Sequence, residues 1–574
     1  MRPRGRVLPG LPLRQLVRLS GLPDLVLSLA CLTTLAGAIL GWSGAAIKAI
    51  AMFLAIVTVS AADDAVKQER ANLTPTGGYL LARFALVGAA LVLAARQEVN
   101  AWLVVGTLLW ALAALIEPSI RLLGTQAFPY ACGFARVRTR ATRWISYRVV
   151  HGASWLAAMS TVMVVEAGVP EAGLWCGALS LVVTLAWGAD TAILVLQRLR
   201  FNTRLPALLR DLAPTFALHW EAPPGSLYQI TMWLDQLKRL DRPFIMITRT
   251  TENFHEATTL GVPVLHRVGL DTVGDALTPS LKTVFYVNTA TRNDHLLRYP
   301  HLNHIQLNHG DSDKVASYSP VFRSYDKNFV AGQAAIDRFK AAGLATAPDF
   351  FVMVGRPQVA QVALATRTVA EAPTPTVLYA PTWVGNTADS NYTSLPWGAQ
   401  LVKTLLDRGC TVIFRPHPYW ARHQRTKKGR QAVLGLLSRD QAQTGREHLF
   451  GPVAEEDMDV VACFNQSDAM ISDVSSMVGD YLYSEKPFAM VAVGTTGPAF
   501  VSDHPVARAA YVVDAGTLVN PAAAGEGSLG QALDAMLGAD PLAAKRHELK
   551  LYYLGDIPPH EYADRFVKEA SRFV

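Results

Sequence analysis

The sequence predicts an α-helical membrane domain of about six spans followed by a soluble α/β part. Three observations predict it. Mean hydropathy is positive, at +0.20, and only 17% of the 574 residues are charged, against about 25% in ordinary soluble domains. The apolar excess lies before residue 200. Beyond it, short apolar runs alternate with amphipathic stretches, the pattern of a parallel sheet covered by helices.

A spanning helix needs about 20 mostly apolar residues. Six stretches approach this: Leu22–Gly41, Ala45–Ala62, Tyr79–Ala95, Ala101–Ile116, Gly152–Ala167 and Gly173–Leu196. The first lacks an A-x-A site and a second apolar run follows it at once, so it is not read as a cleaved signal. Basic residues alternate between connections. Arg2, Arg4, Arg6, Arg14 and Arg18 precede the first stretch, and Lys67 and Arg70 follow the second. Arg121, Arg136, Arg138, Arg140, Arg143 and Arg148 follow the fourth, and Arg198, Arg200 and Arg204 follow the sixth. The other connections are short and poor in basic charge, Arg96 excepted. The positive-inside rule then puts both termini in the cytoplasm. Asp24, Lys48 and Arg83 fall near span ends and are expected to snorkel to the interface. Asp190 lies deeper, suited to a helix–helix hydrogen bond or a polar groove.

The same loops account for much of the net charge of +7. No basic run alternates with aromatics as a nucleic-acid groove requires, so no nucleic-acid partner is expected. The cysteines, Cys31, Cys132, Cys176, Cys410 and Cys463, form no C-x-x-C pair. They are expected as buried spacers in a reducing compartment.

In the soluble part, strands are expected at Phe216–Trp220, Phe244–Ile247, Val262–Leu265, Thr283–Val287, Asn303–Leu307, Asn328–Val330 and Phe350–Val354. A second series is expected at Thr376–Ala380, Thr411–Arg415, Ala469–Ser472, Phe488–Val491 and Ala510–Val513. About 370 residues are too many for one such domain. The proline-bearing stretch Thr368–Pro375 reads as a linker. The expected division is 1–204 (membrane), 205–367 and 368–574. Ligands of such sheets bind at the carboxyl ends of strands, where four motifs fall.

In the first motif an apolar strand ends in Asn308-His309-Gly310, followed by Asp311-Ser312-Asp313-Lys314. Gly310 permits a tight turn and close backbone approach. His309 offers a base near neutral pH; a strand-end histidine bonded to a neighbouring loop is the plain alternative. The second is Leu378-Tyr379-Ala380-Pro381-Thr382, where Thr382 is either a ligand hydroxyl or a turn hydroxyl. The third is Arg415-Pro416-His417-Pro418, a stiffened loop that directs an arginine, suited to phosphate, and a histidine; a rigid turn with exposed charges is the equal alternative. In the fourth, Ser467-Asp468 and Asp473-Val474-Ser475-Ser476 bracket a strand and open a helix. Its hydroxyls and free N–H groups suit an anion; simple N-capping is the alternative. No Walker A, H-E-x-x-H or G-x-S-x-G pattern occurs.

Together, in order and rough spacing, these motifs resemble the CDP-glycerol glycerophosphotransferases of teichoic-acid synthesis. The residues that carry the resemblance are His309-Gly310, Leu378–Thr382, Arg415–Pro418 and Ser467 through Ser476, then Lys486-Pro487. A weaker likeness extends to Gly555-Asp556 and Arg565. The resemblance covers roughly residues 280–570. It implies two Rossmann-like domains of glycosyltransferase-B type. It implies that an acceptor hydroxyl attacks the alditol-linked phosphorus of CDP-glycerol, or a related CDP-alditol, and that CMP leaves. It makes His309 the general base and gives Arg415, His417, Ser475 and Ser476 the donor's phosphates. Thr382 and Asp473 fall to the donor site, and Asp313 and Lys314 to an acceptor or phosphate position. No metal or cofactor is expected. The expected acceptor is a lipid-linked wall polymer, and the chain is expected to be a multi-pass protein of a bacterial cell membrane with a cytoplasmic catalytic part. Two departures stand out. Members of this family often have Thr-Pro-Leu-Lys after His-Gly, where this chain has two aspartates, and familiar members lack membrane spans. A sugar-nucleotide glycosyltransferase of the same fold, or a non-catalytic membrane scaffold, are the competing readings.

Overall fold

The computed structural model describes residues 22–42, 80–96, 100–127, 130–134, 144–385, 391–519 and 527–574. The chain forms two compact units. The first holds residues up to Tyr130 and Arg136–Leu205, and the second holds Ala131–Ala135 and Pro206–Val574.

The described helices of the first unit are α1 (Leu22–Leu40), α2 (Leu80–Ala95), α3 (Ala101–Ala127), α4 (Tyr147–Glu166) and α5 (Gly173–Leu212). Among the described residues, three apolar segments are long enough to cross a membrane: Ala101–Gly124, Tyr147–Glu166 and Pro170–Leu212. Cys31–Leu40 and Leu81–Ala95 are apolar but shorter. The candidate span Ala45–Ala62 lies outside the described residues. Helix α3 runs eleven residues past its expected end at Ile116 and carries Pro118 within it. Side chains such as Trp102, Leu108, Leu115, Leu179 and Val182 stand exposed on α3 and α5, as lipid-facing positions do. The helices meet through small residues. A Cβ on Gly177 would lie 1.8 Å from the Gly106 carbonyl oxygen, and one on Gly106 would lie 2.2 Å from that of Gly173. Gly173 and Gly177 thus form a G-x-x-x-G face where α3 and α5 cross.

Arg83 corrects the expectation of snorkelling. It is 0% exposed and pairs with Glu117 of α3 at 2.7 Å. Its Nη1 also donates to Ser154 Oγ of α4 at 2.7 Å, and the Tyr147 hydroxyl donates to the other Glu117 oxygen at 2.7 Å. Arg83 lies one turn into a helix, too far from the end to escape, and a carboxylate on a neighbouring helix satisfies it. Asp190 is also buried and accepts from the Trp144 backbone N–H at 3.1 Å.

The second unit contains two sheets. The first has the order β1-β4-β3-β2-β5-β6-β7-β8. Its parallel strands are β2 (Phe216–Trp220), β3 (Phe244–Thr248), β4 (Val264–His266), β5 (Thr283–Tyr286), β6 (Asn303–Gln306), β7 (Lys327–Val330) and β8 (Phe351–Met353). The second sheet has the order β10-β9-β11-β12-β13. It comprises β9 (Thr376–Ala380), β10 (Thr411–Phe414), β11 (Ala469–Ser472), β12 (Phe488–Ala492) and β13 (Tyr511–Asp514), all parallel. All twelve expected strands form, within two residues at each end. Both orders reverse direction, between β2 and β5 and between β9 and β11, the crevice position where such sheets bind ligands.

Two features were not expected. Strand β1 (Ala131–Cys132), from the segment between α3 and α4, pairs antiparallel with β4. The chain also returns at its end: Phe566 and Ala570 of the last helix join the core of the first sheet with Trp220, Trp233 and Phe329.

The Arg83–Glu117 pair generates a test. Arg83→Met leaves Glu117 buried without its partner and costs about 3–5 kcal/mol. The thermal unfolding midpoint of the full chain in detergent should fall, and the double change R83M/E117M should restore part of the loss. An unchanged midpoint in R83M would rule out the pair as a structural tie.

Candidate functional site

The carboxyl ends of β6, β9, β10 and β11 converge in a cleft between the two sheets. On the first side, β6 is followed by Asn308, which takes a left-handed φ of 61°. Its side chain donates to Asn328 at 2.8 Å, and its carbonyl accepts from Trp233 Nε1 at 2.6 Å. That fixes the turn that presents His309. The half-buried imidazole has Nδ1 2.7 Å from the Val287 carbonyl oxygen. A carbonyl only accepts, so Nδ1 carries the proton and Nε2 keeps its lone pair. Desolvation holds the His309 pKa below the ordinary imidazole value, with Arg356 adding to the shift and the Val287 bond opposing it.

Gly310 shows why this position carries no side chain. A Cβ there would lie 2.7 Å from Ser476 Cβ and 2.8 Å from its Oγ. The His-Gly turn of one sheet therefore rests directly on the Ser-Ser turn of the other. Other contacts bridge the same cleft. Arg356 forms a two-pronged ion pair with Asp480 at 2.7 and 3.0 Å, and the Ser226 hydroxyl meets that of Tyr419. The Tyr228 ring lies edge-on to His309 and to His417, each at 6.3 Å.

Lys314 crosses from the first side and donates to Thr382 Oγ1 at 3.1 Å, with its ammonium over the Tyr392 ring. Burial pushes its pKa down to about 8, against the attraction of Asp473. Asp473 is fully buried. One of its oxygens accepts from the backbone N–H groups of Thr382 at 2.7 Å and Ser394 at 3.1 Å, and the other has no hydrogen-bond partner. Desolvation raises this carboxyl pKa, with the Ser394 and Thr382 bonds and Lys314 opposing.

His417 is held in the opposite tautomer to His309. Its Nδ1 accepts from the Tyr419 N–H at 3.1 Å, so Nε2 carries the proton and is a donor. Desolvation, then Lys314 and His309, push its pKa down to about 3, and the ring stays neutral. It stacks on Trp383 at 6.0 Å. Ser475 Oγ lies 3.2 Å from Ser472 Oγ and makes no cap bond to the seven-residue helix Ser476–Leu482.

His309, Lys314, Thr382, His417, Asp473, Ser475 and Ser476 therefore come together. Two other expected residues do not. Asp313 is buried away from the cleft, accepting from Arg338 at 2.9 Å, from the Tyr553 hydroxyl at 2.9 and 3.0 Å, and from the Val506 N–H at 3.1 Å. Arg338 also binds Asp311, so one guanidinium neutralises both aspartates of the unusual loop. Arg415 spends its Nη1 on the carbonyls of Ala454 and, at 2.7 Å, Met458, bracing a turn rather than facing the cleft. Sequence reasoning missed Tyr228, Trp383, Tyr419, Arg356 and Asp480. Trp383 and Tyr419 directly follow two motifs, and that adjacency was the available signal. Tyr228, Arg356 and Asp480 sit in no motif.

Residues 359–495 match the family model described as CDP-Glycerol:Poly(glycerophosphate) glycerophosphotransferase. The match spans about a quarter of the chain and includes three of the four motifs, but not His309-Gly310. Over that segment the chain is similar to the glycerophosphotransferase family. It is a transferase, as the sequence led us to expect. No curated protein matches it. Among solved structures it is similar to the wall teichoic acid polymerase TagF, at 12% identity and a TM-score of 0.39, covering 66% of this chain and 95% of that one. It is also similar to the S. aureus MnaA–UDP structure, at 12% identity and 0.42, covering 63% and 96%. A third is UDP-GlcNAc 2-epimerase from Neisseria meningitidis bound to UDP-GlcNAc, at 11% and 0.40, covering 62% and 99%. None of these likenesses is close enough to bear on what the transferase does.

The contact at Gly310 yields a prediction for the transferase. Gly310→Ala forces the two turns apart and costs about 1–3 kcal/mol of stability. Ser476→Gly in the same chain removes the clashing atoms and should recover most of it. Thermal unfolding of the three variants measures this, and a Gly310→Ala chain as stable as the parent would mean the turns do not touch.

Proposed function

We propose that the transferase moves glycerol phosphate, or a related alditol phosphate, from a CDP-linked donor to a hydroxyl of a lipid-linked wall-polymer acceptor, releasing CMP. The observation that carries this reading is the Val287–His309 hydrogen bond, which leaves Nε2 as a base in a cleft whose opposite wall supplies donors. In the proposed reaction, His309 Nε2 takes the proton of the acceptor hydroxyl. The hydroxyl oxygen bonds to the glycerol-linked phosphorus, the bond from that phosphorus to the CMP oxygen breaks, and CMP departs with the electron pair. The imidazolium then returns its proton to solvent.

Phosphoryl transfer of this kind needs positioning and charge neutralisation more than covalent help. Lys314 supplies a cation. His417 Nε2–H, the Thr382 hydroxyl and the Ser475 and Ser476 hydroxyls supply donors for the diphosphate. Asp473 orders the Thr382 and Ser394 backbone, and Arg415 braces the loop that carries His417. In this reading the two sheets are the domains of a glycosyltransferase-B arrangement, 205–367 holding the base and 368–574 the donor. About six spans hold the enzyme in a bacterial cell membrane with both sheets on the cytosolic side, where CDP-linked donors are found.

CMP release from CDP-glycerol by the detergent-purified chain, with a lipid-linked acceptor, is the direct test. His309→Ala should lower turnover by about 10²–10⁴-fold with little change in the KM for donor. Turnover of UDP-sugars in place of CDP-glycerol would favour the glycosyltransferase reading instead. The pH profile is a second check. His309 acts when neutral, above its lowered pKa, so the acid limb of kcat/KM should lie below pH 6.5, the ordinary imidazole value. Lys314 acts when protonated, so activity should fall as pH rises through about 8. An acid limb above pH 6.5 would refute the His309 assignment, and no fall above pH 8 would refute that of Lys314.

A further inference from the structure

On the same rim as His309, three strands away, the first sheet buries a cation with no carboxylate in direct contact. Arg249 follows β3 and is 0% exposed. Its Nη2 donates to the Val268 carbonyl at 3.1 Å, the Gly269 carbonyl at 3.4 Å and His295 Nδ1 at 2.6 Å. Its Nε and Nη1 have no hydrogen-bond partner. Among the described residues no carboxylate comes within ion-pair distance of it. The adjacent acid, Glu221, is committed to Arg292, through the side chain at 3.3 Å and through the Arg292 N–H at 3.2 Å. Arg292 itself donates to the Arg249 carbonyl at 3.0 Å, bringing a second guanidinium to the spot. The neighbouring buried Arg267, by contrast, has Asp275 at 3.7 Å. A buried guanidinium with two idle nitrogens is costly unless an anion completes it. Burial and then Arg292 push the Arg249 pKa down to about 10, against the attraction of Glu221 and Asp294.

We propose that Arg249, with Arg292 and His295 beside it, binds a phosphate group of the acceptor and so aligns the acceptor's hydroxyl with His309. This rests on the transferase reading above and adds the acceptor's anchoring point to it. The strand order places Arg249 and His309 at the ends of β3 and β6, with β2 and β5 between. Three strand spacings amount to about 14 Å, so an acceptor carrying phosphate groups can engage both. His295 Nδ1 accepts from Arg249, so its Nε2 carries the proton and is a further donor. The Val268 and Gly269 carbonyls cover the guanidinium, and binding requires the 268–270 turn to lift. Val268 and Leu270 already stand exposed on it.

The test uses the full chain in detergent with CMP present to fill the donor site, and glycerol 3-phosphate and uncharged glycerol as probes. Calorimetric titration should show glycerol 3-phosphate binding to the parent, at least tenfold weaker binding to Arg249→Met, and binding mostly retained by Arg249→Lys. Equal binding to parent and R249M, or no binding to the parent, would overturn the proposal. Arg292→Gln, at a partly exposed site, gives a second variant that should also weaken binding if R249M fails to fold. In turnover, R249M should raise the KM for the phosphate-bearing lipid-linked polymer acceptor about tenfold or more. Titration does not depend on turnover. A parent that binds glycerol 3-phosphate but releases no CMP would therefore sink the transferase reaction and leave the phosphate site standing.

Discussion

The arrangement of the second unit depends on a contact made possible by an absent side chain. Gly310 lets the turn after β6 lie against Ser476 at the head of the helix that follows β11. Each sheet ends its strands in a turn of small residues, and the two turns touch. Everything functional is then placed by short reach. Lys314 is four residues beyond Gly310 and arrives at Thr382. Tyr228 fills the gap between the two histidines. With a larger residue at 310 the facing walls would separate, and no donor on one wall would serve a base on the other.

The cleft also depends on how charge is removed from it. The loop after His-Gly contains two aspartates, an odd composition beside the site proposed for phosphates. Arg338 collects both carboxylates, with Tyr553 and the Val506 N–H completing Asp313. What remains at the cleft is Lys314, two imidazoles of opposite tautomer, and two carboxylates held by partners, Asp473 on the Thr382 and Ser394 N–H groups and Asp480 on Arg356. The tautomers follow from one neighbour each, a carbonyl beside His309 and an N–H beside His417. One ring is thereby an acceptor at Nε2 and the other a donor, without either being charged.

Much of this was legible in the sequence, and the reason differs from part to part. The strands were legible because buried parallel strands are short, continuous apolar runs cut off by Gly, Pro or polar residues. Thr376–Ala380 and Ala469–Ser472 were read to the residue. The His309 and His417 loops were legible because motifs mark strand ends. The ion pairs were not, because their partners are far apart in sequence. Nothing near Arg83 announces Glu117, and nothing near Asp313 announces Arg338 or Tyr553. Arg415 misled because an arginine beside a histidine in a phosphate-type loop looks like a ligand, while the carbonyls of Ala454 and Met458 that occupy it lie some forty residues on. Strand β1 was beyond any periodicity argument, since two residues have none.

That two-residue strand alters how the first sheet can be completed. The exposed edge of a sheet is an open template for pairing with another chain. Here the β4 edge is closed by Ala131 and Cys132, and the following Gly133, at φ 75°, presses so closely on the Val262 carbonyl that a Cβ would sit 2.5 Å from it. The closing piece is made before β4 and is tethered on both sides by apolar helices. A soluble fragment beginning after α5 would therefore keep every motif but leave one flank of its larger sheet unsealed and prone to self-association. The segment between α3 and α4 is thus part of what completes the larger sheet.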